Sequence, residues 1–248
     1  MSVAYKIGEA QLDGRPPIVA IHGAGGDKSA WQAVQRLAGS HWPLLALDLP
    51  GHGASDGESC DTVRGYLAQV IALCDQLEIA RAIWLGHSMG GAISQLAALE
   101  HPERVAGLAL VATSARLKVA DQILLTLREE PEQFFMLFER FAFGPTATPQ
   151  IIDQSQQVMR AVGVEVLIND FRACNAFDVR ERVAQIDAPC LAIGAQHDLL
   201  TPAKHVQWLA EQIPGARFEL IEDSGHMLPL EAYKQVSQLL LDFCRGIG

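Results

Sequence analysis

Short apolar runs alternate along this chain with longer stretches in which apolar residues recur every three or four positions. The short runs are Ile18–Ile21, Leu44–Leu47, Ile83–Leu85, Val105–Val111, Cys190–Ile193 and Phe218–Ile221. Most are continuous and rich in aliphatic residues, as strands buried on both faces should be. Residues 3–12 give a weaker signal for an edge strand. Between the runs, Trp31, Val34 and Leu37 mark one helix. Val63, Leu67, Val70, Ile71, Cys74 and Leu77 stripe a second, with Asp61 in the N-cap position. Further helices are expected after Ser88, over Pro202–Ile213 and over Pro229–Phe243. Strand alternating with helix predicts an α/β fold with a mostly parallel central sheet and helices on both faces.

The alternation stops at Thr113-Ser114. From about 116 to 187 no strand pattern occurs, and helical segments follow one another: Ile123–Leu127, Phe134–Phe143, Ile151–Val162 and Val166–Phe171. Gly144-Pro145 and Pro149 break the run. The expected organisation is a core of residues 1–115 and 188–248 with a helical cap, 116–187, inserted between its halves.

Composition narrows the function. The 248 residues are 49% apolar and 19% charged, with a formal net charge of −10. An acidic chain without a basic stripe is a poor partner for nucleic acid or an anionic membrane. Five widely spaced cysteines without a C-x-x-C fit a reducing compartment better than a disulfide framework or a zinc site. No signal-peptide pattern and no apolar stretch of about 18 residues is visible. The expectation is a cytoplasmic protein, monomer or homodimer, acting on a small molecule.

Candidate chemistry lies at the ends of the apolar runs. Gly86-His87-Ser88-Met89-Gly90 joins a strand directly to a helix and fits G-x-S-x-G. A nucleophile at the tip of such a turn stands clear of its backbone, and its neighbours two residues away must lack side chains because strand and helix nearly touch. The helix after Ser88 points free N–H groups at the reacting centre. A serine nucleophile needs a base, and the base an orienting group. Asp198 follows the run at 190–193, and His226 follows the last run. His197, beside the acid, is a rival base. Met89 N–H is one oxyanion donor, and Ala24 N–H, in His22-Gly23-Ala24-Gly25-Gly26, is the other. His22, His87, Phe134, Phe138 and Met227 are substrate-contact candidates. Arg116, Arg172 and Arg180 are further candidates for meeting a carboxylate. His52 and the Asp48 loop read as turn chemistry. Gly23-Ala24-Gly25 imitates a dinucleotide fingerprint, but Lys28 stands where the third glycine belongs, so no nucleotide cofactor is expected. No cluster has metal-ligand spacing.

His22-Gly23-Ala24-Gly25-Gly26, Asp48-Leu49-Pro50-Gly51-His52-Gly53-Ala54-Ser55, Gly86–Gly91, Asp198 before Leu199-Leu200-Thr201-Pro202, and Gly225-His226-Met227 together resemble the α/β-hydrolase superfamily. The likeness is to small bacterial carboxylesterases, enol-lactonases and C–C bond hydrolases. It spans the chain except its middle. It implies the α/β-hydrolase fold, with the helical cap inserted after the sixth strand. It also implies hydrolysis of a small carboxylic ester through Ser88, His226 and Asp198 with an acyl-enzyme intermediate, without cofactor or metal. Lactone, thioester or C–C bond cleavage uses the same groups. A non-catalytic binding protein of this fold is the other class, but such proteins tend to lose triad members, and this chain keeps all three.

Overall fold

The computed structural model describes residues 3–8, 10 and 14–247. Seven strands form one sheet: β1 (Tyr5–Ile7), β2 (Ile18–Ile21), β3 (Leu44–Leu47), β4 (Ala82–His87), β5 (Val105–Val111), β6 (Cys190–Ala195) and β7 (Arg217–Ile221). Their spatial order is β1-β3-β2-β4-β5-β6-β7. Only β1 runs antiparallel, with Tyr5 opposite Leu47. Among the described residues the edge strand is shorter than the 3–12 expected, and positions 9, 11 and 12 of that expectation lie outside the described residues.

From β2 the chain steps outward to β3, then returns to the other side of β2 to lay down β4, with Ile21 beside Gly86. The loops leaving β2 and β4 therefore diverge at their carboxyl ends and open a crevice between them, the usual binding position in an open parallel sheet. His22–Gly26 and Ser88 are those loops.

Every residue of β2 to β6 is buried. One face packs on α2 (Val63–Gln76) and α3 (Met89–Glu100), through residues such as Leu67, Val70, Ile93 and Trp84. The other packs on α1 (Gln32–Ala38) and, near the C-terminus, α10 (Tyr233–Arg245), through Val34, Ile83, Val236 and Leu240. The cap of α2 is Thr62, whose hydroxyl accepts from Gly65 N, and not Asp61. Thr62 is one residue closer to the first turn, where its oxygen reaches a free N–H. The closing segment is split. A short α9 (Leu228–Glu231) ends at Ala232, whose backbone leaves the helical region before α10 begins.

Four helices separate β5 from β6: α4 (Asp121–Glu129), α5 (Pro131–Ala142), α6 (Pro149–Val162) and α7 (Val164–Ala176). Among the described residues five strands precede them, so the insertion follows the fifth strand of this chain and not a sixth. They share a small apolar centre of Leu127, Phe134, Phe135, Met159, Leu167 and Ile168. The insertion starts and ends at one point. Arg116 bridges Asp178, and Val179 N donates to Ala115 O at 2.8 Å. Phe177, Val179, Val183 and Ile186 already belong to the main core. The last helix before β7, α8 (Ala203–Gln212), covers β6. Cys74, Cys174, Cys190 and Cys244 are buried free thiols. No described helix is long and apolar enough to cross a membrane.

Candidate active site

Ser88 sits between β4 and α3 with φ 51° and ψ −114°, a conformation that L-residues rarely adopt. The surrounding glycines explain why the turn closes there. A Cβ on Gly86 would lie 2.2 Å from Gly90 O, and one on Gly90 would lie 2.3 Å from Ile21 O. Ser88 N donates to Val111 O at 3.0 Å, and Thr113 Oγ1 to Ser88 O at 2.8 Å, so β5 steadies the turn.

The candidate base and its acid follow the ends of β7 and β6. His226 Nδ1 faces Asp198 Oδ2 at 2.8 Å. Facing a carboxylate, Nδ1 carries the proton, which leaves Nε2 as the basic nitrogen. Thr201 Oγ1 donates to Asp198 Oδ2 at 2.7 Å, and Leu200 N and Thr201 N both donate to Oδ1 at 2.8 Å. Burial raises the Asp198 pKa, but the His226 ring and these donors outweigh it and hold the group at about 2.

Ser88, His226, His87, Ala24, Met227, Phe134 and Phe138 all line one cavity of about 470 Å³. Its remaining wall is largely apolar, including Leu117, Ile123, Leu137, Phe141, Phe171 and Leu200. Phe134, Phe138 and Phe141 of α5 face this space, while Phe135 is buried among the inserted helices and Met136 is 66% exposed. Met89 is buried at the start of α3, next to Ser88. Among the described residues, neither Ala24 N–H nor Met89 N–H forms a hydrogen bond within the protein.

Other expectations are redistributed. His22 does not line the cavity. It lies fully buried behind the loop, with Nδ1 donating to Gly23 O at 2.8 Å and Nε2 accepting from Leu49 N at 3.0 Å. It therefore shapes the Ala24 loop from behind. His197 is exposed and outside the cavity. Arg172 is exposed, and Arg180 is spent on Asp178. Arg116 reaches the cavity wall. Asp48 is a turn residue, accepting from Ala54 N and Lys28 N. His52 is not: its Nε2 meets Asp170 Oδ2 of α7 at 2.8 Å, with both residues buried.

Two carboxylates at the site escape sequence reasoning. One is Asp170. The other is Glu231, which accepts from Gly144 N at 2.8 Å, Gly225 N at 3.0 Å and Met227 N at 3.1 Å. With His226 N donating to Ala142 O at 2.6 Å, it ties the end of α5 to the His226 loop. Burial raises its pKa, partly offset by the three N–H groups. An acid within the amphipathic segment after His226 carries no signal of this in sequence.

Burial, then repulsion from His52, lowers the His22 pKa to about 4. Burial, then repulsion from His226, lowers that of His87 to about 3. Both are neutral when folded, and an unfolded histidine titrates near 6.5. Between those values the unfolded chain binds more protons, so stability rises with pH and is lost as pH falls from about 6.5. Each histidine should contribute on the order of 2 kcal/mol of destabilisation at pH 5. The melting temperature should therefore drop several degrees from pH 7 to pH 5, and His87→Gln should reduce the slope. An unchanged slope in that variant would refute the assignment.

The comparisons with known proteins agree with this fold. The alpha/beta hydrolase family model matches residues 18–239. The chain is 32% identical to the dihydrolipoyllysine-residue acetyltransferase component of the acetoin cleaving system of Pseudomonas putida, over 94% of this chain and 64% of that protein. It thus spans less than two thirds of that relative's length. It is 29% identical to the pimeloyl-[acyl-carrier protein] methyl ester esterase of Salmonella agona (strain SL483), covering 86% of this chain and 88% of the relative. Among solved structures it resembles the enol-lactonase from Burkholderia xenovorans LB400, at 26% identity and a TM-score of 0.85, covering 97% of this chain and 95% of that one. A sheet of this order, an elbow serine between its fourth strand and the following helix, and a family match over nearly the whole length have one reading: the chain belongs to the alpha/beta hydrolase family.

Proposed function

We propose that this protein is a serine hydrolase that cleaves small carboxylic esters through Ser88, His226 and Asp198. The observation that carries the reading is the convergence of an elbow serine, an Asp198-held histidine and the Ala24 loop on one apolar cavity, with Met89 N–H beside Ser88. Ser88 Oγ attacks the acyl carbonyl while His226 Nε2 accepts its proton. Asp198 fixes the imidazole tautomer and stabilises its charged form. Ala24 N–H and Met89 N–H bind the oxyanion, each worth about 3 kcal/mol in the transition state. His226 then protonates the leaving alcohol, and water activated by His226 releases the acid. Residues 116–187 act as the cap, whose aromatic wall accepts the acyl chain.

A purified-protein panel of short- and long-chain aryl esters, acyl-CoA thioesters and lactones tests the class. Ester turnover exceeding the others supports the proposal, and no ester turnover overturns it. The likeness to an enol-lactonase makes lactone turnover the second reading.

Charge refines the substrate. Arg116 and Lys118 lie on the cavity wall, and no Asp or Glu does among the described residues. An ester whose acyl chain ends in a trimethylammonium group should have a kcat/KM roughly 3–10-fold below that of its neutral isostere, with the gap narrowing in high salt. Equal kcat/KM values would remove the wall charge from the account.

A further inference from the structure

The inserted helices reach back into the core at one fully buried polar point. Asp170 of α7 has no exposed surface and receives donors from three separate segments. Gly25 N donates to its Oδ2 at 2.8 Å, His52 Nε2 meets the same oxygen at 2.8 Å, and Tyr66 Oη donates to Oδ1. The protonation pattern follows from the partners. His52 Nδ1 lies 3.0 Å from Pro50 O, which can only accept, so Nδ1 carries a proton. Nε2 faces a carboxylate oxygen already engaged by an N–H, so it donates as well. His52 and Asp170 form a buried imidazolium–carboxylate pair. Burial alone would lower the His52 pKa, and the Asp170 bond and charge raise it instead.

Gly25 adjoins Ala24, whose N–H is the oxyanion donor of the proposed mechanism. The turn Gly23–Gly26 closes through Gly26 N to Gly23 O at 3.1 Å, with Gly25 at φ +66°. Asp170 grips its central N–H, and Leu167 and Met159 crowd the same residue so closely that a Cβ there would lie 2.4 Å from Leu167 Cδ2. A buried carboxylate with three donors is costly to rearrange, because moving any one of them strands a charge.

We infer that Asp170, clamped by His52 and Tyr66, is a positioning residue: it fixes the Ala24–Gly25 backbone, so that the inserted helices hold the oxyanion donor in place for the core's nucleophile. The inference rests on the proposed ester hydrolysis. The reach is through the backbone only, since Asp170 does not line the cavity. Loosening the loop lets Ala24 N–H drift from the oxyanion without altering the apolar wall that binds the acyl group. The loss therefore falls on kcat and spares KM.

The test compares wild type, Asp170→Ala and Phe135→Leu at a temperature where all are folded. Phe135 is buried among the inserted helices but neither lines the cavity nor bonds to the Ala24 loop, and so controls for general weakening of that region. Asp170→Ala should lower kcat about 10–100-fold, less than or comparable to losing an oxyanion donor outright. KM should stay within about threefold, and affinity for a boronic acid, whose serine adduct is tetrahedral, should fall by the same factor as kcat. Amide exchange in the peptide spanning residues 22–30 should quicken by about tenfold or more, while β5 and β6 keep their protection. Phe135→Leu should lower the melting temperature and leave kcat, boronate affinity and this exchange unchanged. A kcat within about threefold of wild type in Asp170→Ala overturns the inference, as does a fall in kcat without faster loop exchange. If Asp170→Ala does not accumulate folded, Asp170→Asn reads the same quantities. There a loss of about fivefold or more in kcat at constant KM is expected, and none overturns the inference. Failure of the wild type to turn over esters would sink the mechanism instead, and the exchange measurement would still decide whether Asp170 restrains the loop.

Discussion

Ser88→Ala is expected to lower kcat by about 10⁴–10⁶-fold and to abolish labelling by a fluorophosphonate probe. In the proposed mechanism the serine oxygen is the atom that bonds to substrate, so no neighbour substitutes for it. The residual rate would come from the Ala24 and Met89 N–H groups and from binding alone. Because Ser88 sits at φ 51°, alanine inherits its strain while glycine does not. Ser88→Gly should therefore be the more stable of the two inactive variants, by about 1 kcal/mol. Stoichiometric labelling of Ser88→Ala at another residue would overturn the nucleophile assignment, and equal stability of the two variants would remove the strain argument.

The largest effect on folding should come from Gly86→Ala. The added methyl would lie 2.2 Å from Gly90 O and 2.4 Å from Gly90 C. These are backbone atoms of β4's own turn, held on one side by the sheet and on the other by α3, so they cannot yield as a side-chain tip would. A cost of about 3–5 kcal/mol follows, near the upper end for single substitutions. In a chain of this length that is a fall in melting temperature of roughly 10 °C or more, or failure to accumulate. A melting temperature within about 3 °C of wild type would show that strand and helix do not meet as closely as described.

These two residues were also the most legible in the sequence, and for a shared reason. Gly86 is required by a contact with Gly90, four residues on, so the spacing shows in the sequence, and the motifs at the other strand ends give it weight. The strands were legible because burial on both faces leaves continuous apolar runs. Asp198 and His226 stand out by position, each following such a run, and the fold brings their side chains within 2.8 Å. Asp170 was not, because its partners stand at Gly25, His52 and Tyr66, up to 145 residues away. On α7 it reads as one more polar residue of an amphipathic helix, and nothing local distinguishes a polar residue facing water from one facing a buried imidazolium. His52 was misread for the same reason: Pro50-Gly51-His52-Gly53 is turn chemistry in its backbone, while the ring makes a distant bond. A histidine after a strand points equally well toward a ligand or under its own loop, and His22 takes the second place, as a hydrogen-bonder that orients the loop.

The paired bridge at Arg116 and Asp178 bears on how this protein could acquire new substrates. Everything between those residues leaves and rejoins the sheet at nearly one point, so a different set of helices could be spliced in without moving a single strand. The entropic cost of closing a loop grows only slowly with its length. Under the proposed function, bond cleavage and substrate choice are thereby separable by recombination, with one condition attached. A transplanted insertion must bring its own acceptor for Gly25 and its own counter-charge for His52, or the graft will bind and not turn over. Compatible donors can be sorted in advance by whether they carry a carboxylate at the position of Asp170.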